Sequence, residues 1–299
     1  MDLSELRRKK TKTELIGDAA AYILLSLGAV TMVIPFLWMI GTSLQDVGIL
    51  LKGLTFKNFI PEPLAWWNYI NVWKKIPFAR FFINSIFVAV VVTLGQVTTS
   101  SLAAYSFSRL KFAGRDKLFF AYVATMMIPG TVTIIPLFIL LSGYLKITLF
   151  GHVFELFKWM DTYKALTVPA MFSAYGTFML RQFFMTLPSD LEDAAKIDGC
   201  SFFGIYWRII LPLSKPALAT LITFTFMGSW GSFMWPLIIM NSAEKFTLPV
   251  GLAYFQGTYG TEWGLLMAGS VIVTLPIMLI FIFNQRFFVE GIKLTGIKG

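Results

Sequence analysis

The sequence holds one cysteine and one histidine in 299 residues. Cys200 therefore has no partner for an intrachain disulfide, and His152 alone cannot build a histidine metal cluster or anchor a histidine-dependent catalytic relay. No catalytic residues and no metal site are expected. Charge is scarce too. Only 14% of residues are Asp, Glu, Lys or Arg, against about 25% in a soluble domain. No GxxxxGK[ST] phosphate loop occurs, so the chain is not expected to bind or hydrolyse a nucleotide itself. Its long apolar windows carry almost no ionisable side chains, which argues against a proton- or ion-relay pump. If such a protein moves a solute, the energy has to come from a partner.

What the sequence does have is apolar surface: 57% of residues are hydrophobic and 16% aromatic. That excess reads as an all-α integral membrane protein, since roughly 20 apolar residues span the hydrocarbon core. Long windows run over Ala19–Gln45, Phe81–Ser108, Leu118–Leu145, Pro216–Ala243 and Trp263–Gln285. A shorter one, Ala165–Leu180, is followed at once by Arg181. It completes a sixth span if Arg181 snorkels to the interface and Phe183–Leu187 finish the helix. With six spans and the N-terminus inside, 16 of the 25 Lys and Arg residues fall on the inner side. Both termini are then cytoplasmic by the positive-inside rule, and Cys200 lies in a reducing compartment. The net charge of +9 is thus a membrane-surface feature, and no nucleic acid is implied. The first apolar window is too long for a signal-peptide h-region, so it reads as a retained span. Residues 1–18 form a cytoplasmic arm, 19–288 the transmembrane domain and 289–299 a cytoplasmic tail.

Two connectors stand out. The outer segment Lys146–Lys164 places Glu155, Lys158 and Asp161 three apart, with Phe154, Phe157 and Trp159 beside them. The spacing predicts an amphipathic helix on the outer surface, with His152 a surface residue. On the inner side, within the loop 188–216, lies LEDAAKIDGCSFFGIYWRIILP, Leu191 to Pro212. Ser189 and Glu192 have capping-box spacing, and Asp190, Glu192 and Asp193 suit a helix N-terminus. A helix is expected from about Leu191 to Asp198, stopped by Gly199. Ser201 caps a second helix carrying Phe202, Ile205, Tyr206 and Ile209, until Pro212 and Pro216 redirect the chain. Ala194 and Ala195 give this elbow a small-residue face. Physics alone leaves open whether it is a docking surface or a structural connector.

The run DAAKIDG, then nine residues, then IILP resembles the EAA loop of ABC-importer permeases, whose pattern is E-A-A, three residues, G, nine residues, I-x-L-P. The match falls on Ala194, Ala195, Gly199, Ile209, Leu211 and Pro212. Asp193 stands where Glu is usual, with Glu192 beside it. The stretches YGTEWG at 259–264 and QRFFVEGI at 285–292 are similar to the carbohydrate-uptake branch, and the ending GIKG at 296–299 resembles the tail of the smaller maltose-permease subunit. WGSFMWPL at 230–237 resembles a further family pattern, W-N-x-F-x-x-P-L, with Gly231 in place of Asn.

The resemblance implies a type I permease fold with six transmembrane helices and a cytoplasmic coupling helix. It implies that Glu192, Asp193, Ala194, Ala195, Asp198, Gly199, Ile209, Leu211 and Pro212 couple to a separate ATPase. Gly296, Ile297, Lys298 and Gly299 would be a second ATPase contact. ATP and Mg would be bound by two partner subunits; the chain itself would hold no cofactor. A second homologous permease chain and an extracytoplasmic solute-binding protein, meeting the outer loop 241–263, complete the expected assembly in a bacterial cytoplasmic membrane. The cargo would be a sugar or oligosaccharide, for which Tyr175, Trp230, Ser232 and Trp235 are candidate path residues. A non-sugar importer, a secondary transporter and a membrane scaffold are the rival readings.

Overall fold

The structure is a computed structural model, describing residues 11–46, 63–143, 146–149, 152–155, 157–257 and 260–295. It is predominantly helical, with two short antiparallel ladders. Three helices are long and apolar enough to cross a membrane: Lys12–Ser43, Phe78–Arg109 and the Trp263–Gln285 part of Trp263–Thr295. Two more spans arise if bent pairs each count as one. These are Arg115–Met127 with Gly130–Leu141, bent by 100°, and Phe202–Leu213 with Lys215–Trp230, bent by 80°.

The bends have local causes. Pro129 caps the second half of the first pair, and its missing N–H and fixed φ suit a helix start rather than a helix interior. In the second pair Pro212 and Pro216 flank the break at Ser214. The window Ala165–Leu180 is likewise not one helix. It divides into Tyr163–Thr167, a 3-10 turn at Pro169–Met171 and Ala174–Met185. Arg181 lies within that last helix and does not snorkel outward. It turns inward, donating to Phe107 O at 3.2 Å and lying 4.1 Å over the Phe119 ring.

Contacts divide the described residues into two units. In the one drawn from Met1–Val72 and Phe255–Val271, Thr11 and Glu14 form a reciprocal capping box on the first helix. That helix is apolar on every side and exposed along nearly all its length, the mark of a segment bathed in lipid or protein rather than water. Its end is fixed by Asn68, whose amide donates to Ser43 O at 3.0 Å and Gln45 O at 2.9 Å.

In the unit drawn from Trp73–Tyr254 and Ile272–Gly299, Phe78–Arg109 is the central helix, packed against Ala174–Met185 and Lys215–Trp230. Small residues allow the approach. A β-carbon on Gly176 would lie 2.7 Å from Ser100 Oγ and 3.1 Å from Leu221. Close approach through small residues is how helices gain packing energy where lipid is as apolar as the partner.

The outer segment departs from the expected amphipathic helix. Lys146–Leu149 pairs antiparallel with His152–Glu155, Leu149 opposite His152. Phe157 and Asp161 then take left-handed backbone (φ 48° and 57°), which no right-handed helix accommodates. The alternating, β-branched and aromatic run KITL…HVFE with Gly151 after Phe150 satisfies strand pairing better than a helix.

Candidate functional site

The elbow forms as a helix over Asp190–Ile197. Gly199 has φ +78°, the left-handed position that ends helices, and its β-carbon site is open. Ser201 caps Phe202–Ile205 by accepting from Gly204 N. The chain then widens into a π turn at Tyr206–Ile210 before Leu211–Leu213.

Two expectations for the elbow need correction. Ser189 has helical backbone and makes no side-chain cap, so the capping box is absent. Glu192 turns inward instead, its Oε1 2.9 Å from Arg109 Nε at the end of the central helix. A charge partner at a buried position outweighs one surface N–H as a carboxylate's destination. Ala195 also faces inward, in the cluster of Ala104, Tyr105, Leu180, Phe184, Ile205 and Tyr206. It is therefore closed to another protein, and only Ala194 of the pair is exposed.

The outward face carries Asp193, Ala194, Lys196, Ile197 and Asp198. Ile197 is 87% exposed, an apolar side chain held away from its own core. Asp193 and Lys196 pair at 2.9 Å. The hydrogen bond from Lys196 and its charge hold the Asp193 carboxyl below the ordinary carboxylate range. Ile209 and Leu211 pack on the inner cluster, while Pro212 is exposed. Gly296–Gly299 lie outside the described residues.

A cavity of about 410 Å³ opens beside the central helix. Its lining mixes aromatic faces with neutral hydrogen-bonding groups: Phe172, Tyr175, Phe224 and Trp235 with Gln96, Ser173, Thr225, Ser229 and Ser232. None of the described residues lining it is charged. Gln96 donates to Thr225 Oγ1 at 2.9 Å. Trp235 is oriented by its Nε1–H, which donates to Ala165 O at 3.0 Å. Three of the four expected path residues, Tyr175, Ser232 and Trp235, thus share one wall.

Trp230 does not. It is buried, donates to Val273 O at 2.9 Å and stacks on Phe226, so it packs the core instead of lining the path. Gln96 and Thr225 were missed by sequence reasoning. The available signal was the Gln96 amide in the middle of an apolar window, where polar groups are costly.

On the opposite connector side, Asp161 organises the loop after Ile239. Its carboxylate accepts from Asn241 N and Ser242 N at 3.0 Å each and from Lys245 Nζ at 2.9 Å. Burial alone would raise its pKa, but the hydrogen bonds from Ser242, Lys245 and Asn241 override that and hold it well below the usual range. Asn84 carries the same loop from the central helix, donating to Glu244 O and Phe246 O at 2.9 Å each.

Residues 96–293 match the family of binding-protein-dependent transport system inner membrane components. The chain belongs to that family. The permease is 34% identical over 268 residues to the arabinooligosaccharides transport system permease protein AraQ of Halalkalibacterium halodurans, covering 89% of this chain and 91% of that one. It is 32% identical over 284 residues to the sn-glycerol-3-phosphate transport system permease protein UgpE of Yersinia pestis, covering 92% and 95%. Its fold is that of a chain in a bacterial ABC transporter involved in import of the acidic polysaccharide alginate. The TM-score is 0.79, with 19% identity and coverage of 94% and 99%. The permease is thus an inner membrane component of a binding-protein-dependent transport system, and the relatives it matches are transport system permease proteins.

Proposed function

We propose that the permease is one half of the translocation path of an ATP-driven importer for a sugar or oligosaccharide. The observation that carries the cargo class is the uncharged cavity wall of aromatic faces and neutral donors and acceptors. Flat apolar faces suit the C–H surfaces of a sugar ring, and hydroxyls and amides suit its rim. The likeness to AraQ supports the same class. The likeness to UgpE favours a second reading, a phosphorylated small solute. That solute would call for Arg or Lys on the path, and this wall offers neither.

In this reading the chain crosses the membrane six times, with 19–288 as the transmembrane domain and both ends in the cytoplasm. A second permease subunit completes the path. Two ATP-binding subunits sit beneath it and supply the energy; ATP and Mg belong to them. The elbow's outward face docks in one of them, and the tail Gly296–Gly299 makes a second contact. An extracytoplasmic solute-binding protein delivers cargo to the outer loop 241–263.

The test is ATP hydrolysis by the assembled importer in liposomes, stimulated by binding protein loaded with a panel of neutral glycans, acidic glycans and sugar phosphates. Stimulation by a neutral glycan is expected. Stimulation by a sugar phosphate alone would sink the glycan reading.

A further inference from the structure

Arg109 is the last residue of the central helix, yet it reaches three elements at once. Its Nη2 donates to Phe184 O and, at 2.7 Å, to Leu187 O. These carbonyls lie at the C-terminal end of Ala174–Met185, where intrahelical partners run out and a cation is favoured. Its Nε lies 2.9 Å from Glu192 Oε1 in the elbow, with the two side chains only 11% and 7% exposed. That last contact is one of charge rather than of an aligned hydrogen bond, since neither atom has a hydrogen-bond partner of good geometry. One guanidinium therefore ties the elbow to the ends of two packed helices. Around it, Ala195 of the elbow packs into a cluster with Ala104 and Tyr105 of the central helix and Leu180 and Phe184 of the neighbouring helix.

A buried ion pair is a poor source of stability compared with packed apolar residues of similar volume. Its distinctive effect is positional. It fixes the inward face of the elbow at one point while the outward face, with Ile197, Asp193 and Lys196, stays free.

We propose that Arg109 and Glu192 are the positioning pair that transmits elbow movement to the spans, making the central helix and Ala174–Met185 follow the elbow as one body. The proposal rests on the reading of the elbow as an ATPase dock, but adds a separate element: the internal end of the linkage. Coupling between sites needs a contiguous physical element that both ends can bias, and this pair is the charged contact joining the elbow to the central helix among the described residues.

The experiment is a double-mutant cycle on the reconstituted importer: Glu192→Gln, Arg109→Gln and both together, reading ATP hydrolysed per glycan transported. A purely structural defect lowers hydrolysis and transport in proportion as fewer complexes assemble, and leaves the ratio unchanged. Loss of positioning raises the ratio, by about 3- to 30-fold for coupling terms of ordinary size. Each single variant is expected to raise it, and the double variant to be no worse than either single. An unchanged ratio in Glu192→Gln, or additive effects in the double variant, overturns the proposal. If Glu192→Gln does not assemble, Glu192→Asp decides. It keeps the charge and shortens the reach, so an assembled complex with an unchanged ratio is equally fatal. An Ile197→Asp variant separates the two claims. If it remains fully coupled, the dock reading falls. If it uncouples while Glu192→Gln does not, only the positioning pair falls.

Discussion

Single residues decide several features that hydropathy cannot. Trp230 and Trp235 stand five apart in one apolar window, and both look equally suited to a sugar path. Their indole N–H groups separate them, one bound to Val273 O in the core and the other to Ala165 O on the cavity wall. Trp230→Ala should cost about 3–5 kcal/mol, measured as loss of assembled complex. Trp235→Ala should leave assembly intact and weaken glycan-stimulated ATPase, with the stacking contribution of about 0.5–1.5 kcal/mol appearing as a raised half-stimulating glycan concentration.

Asp161 gives a pH prediction whose sign follows from its lowered folded-state pKa. Its contribution is fully present above the ordinary carboxylate value of about 3.9 and is lost as pH falls through the lower folded-state value. Protection of the 241–246 backbone against hydrogen exchange should therefore be flat from pH 5 to 8 after correction for intrinsic exchange. In Asp161→Ala it should drop throughout that range, because the Asn241, Ser242 and Lys245 donors lose their shared acceptor.

At the scale of elements, the elbow was legible because its signals are local. Gly199 terminates the helix where the spacing requires, and Ser201 caps the next one. Gly199→Ala should strain the left-handed position by about 1–2 kcal/mol, seen as a lower melting temperature of the complex.

Which face of the elbow pointed inward was not legible. Glu192 fitted a capping box on paper, and the competing partner, Arg109, is distant in sequence and ends another helix. Ala194 and Ala195 are indistinguishable by type, and only the fold sends one into the core. The segment after Leu145 misled for a different reason. Charges three apart fit a helical face, but they say nothing against a hairpin when the intervening residues are β-branched or aromatic. Apolar windows overlap the three helices and two bent pairs that are long and apolar enough to span, but they did not give the breaks. A window of mean hydropathy does not register that Pro129 or Pro169 divides it.

At the scale of the whole molecule, the exposed apolar surface is the largest fact. Lys12–Ser43 shows its side chains on every side, and lipid and a second permease chain are the partners this account expects to cover them. The cavity beside the central helix is likewise a surface that the proposed second subunit is expected to cover. These parts meet at the outward face of the elbow, with Ile197 exposed at its end, where the proposed ATP-binding subunit docks.

Ile197→Cys in a Cys200→Ser background, labelled with a short photocrosslinker in the assembled importer, tests that claim most directly. The predicted result is a single major adduct to the ATP-binding subunit, identified by mass spectrometry, with glycan-stimulated hydrolysis abolished once the adduct has formed. Adducts to lipid alone, or full hydrolysis after complete crosslinking, would contradict it.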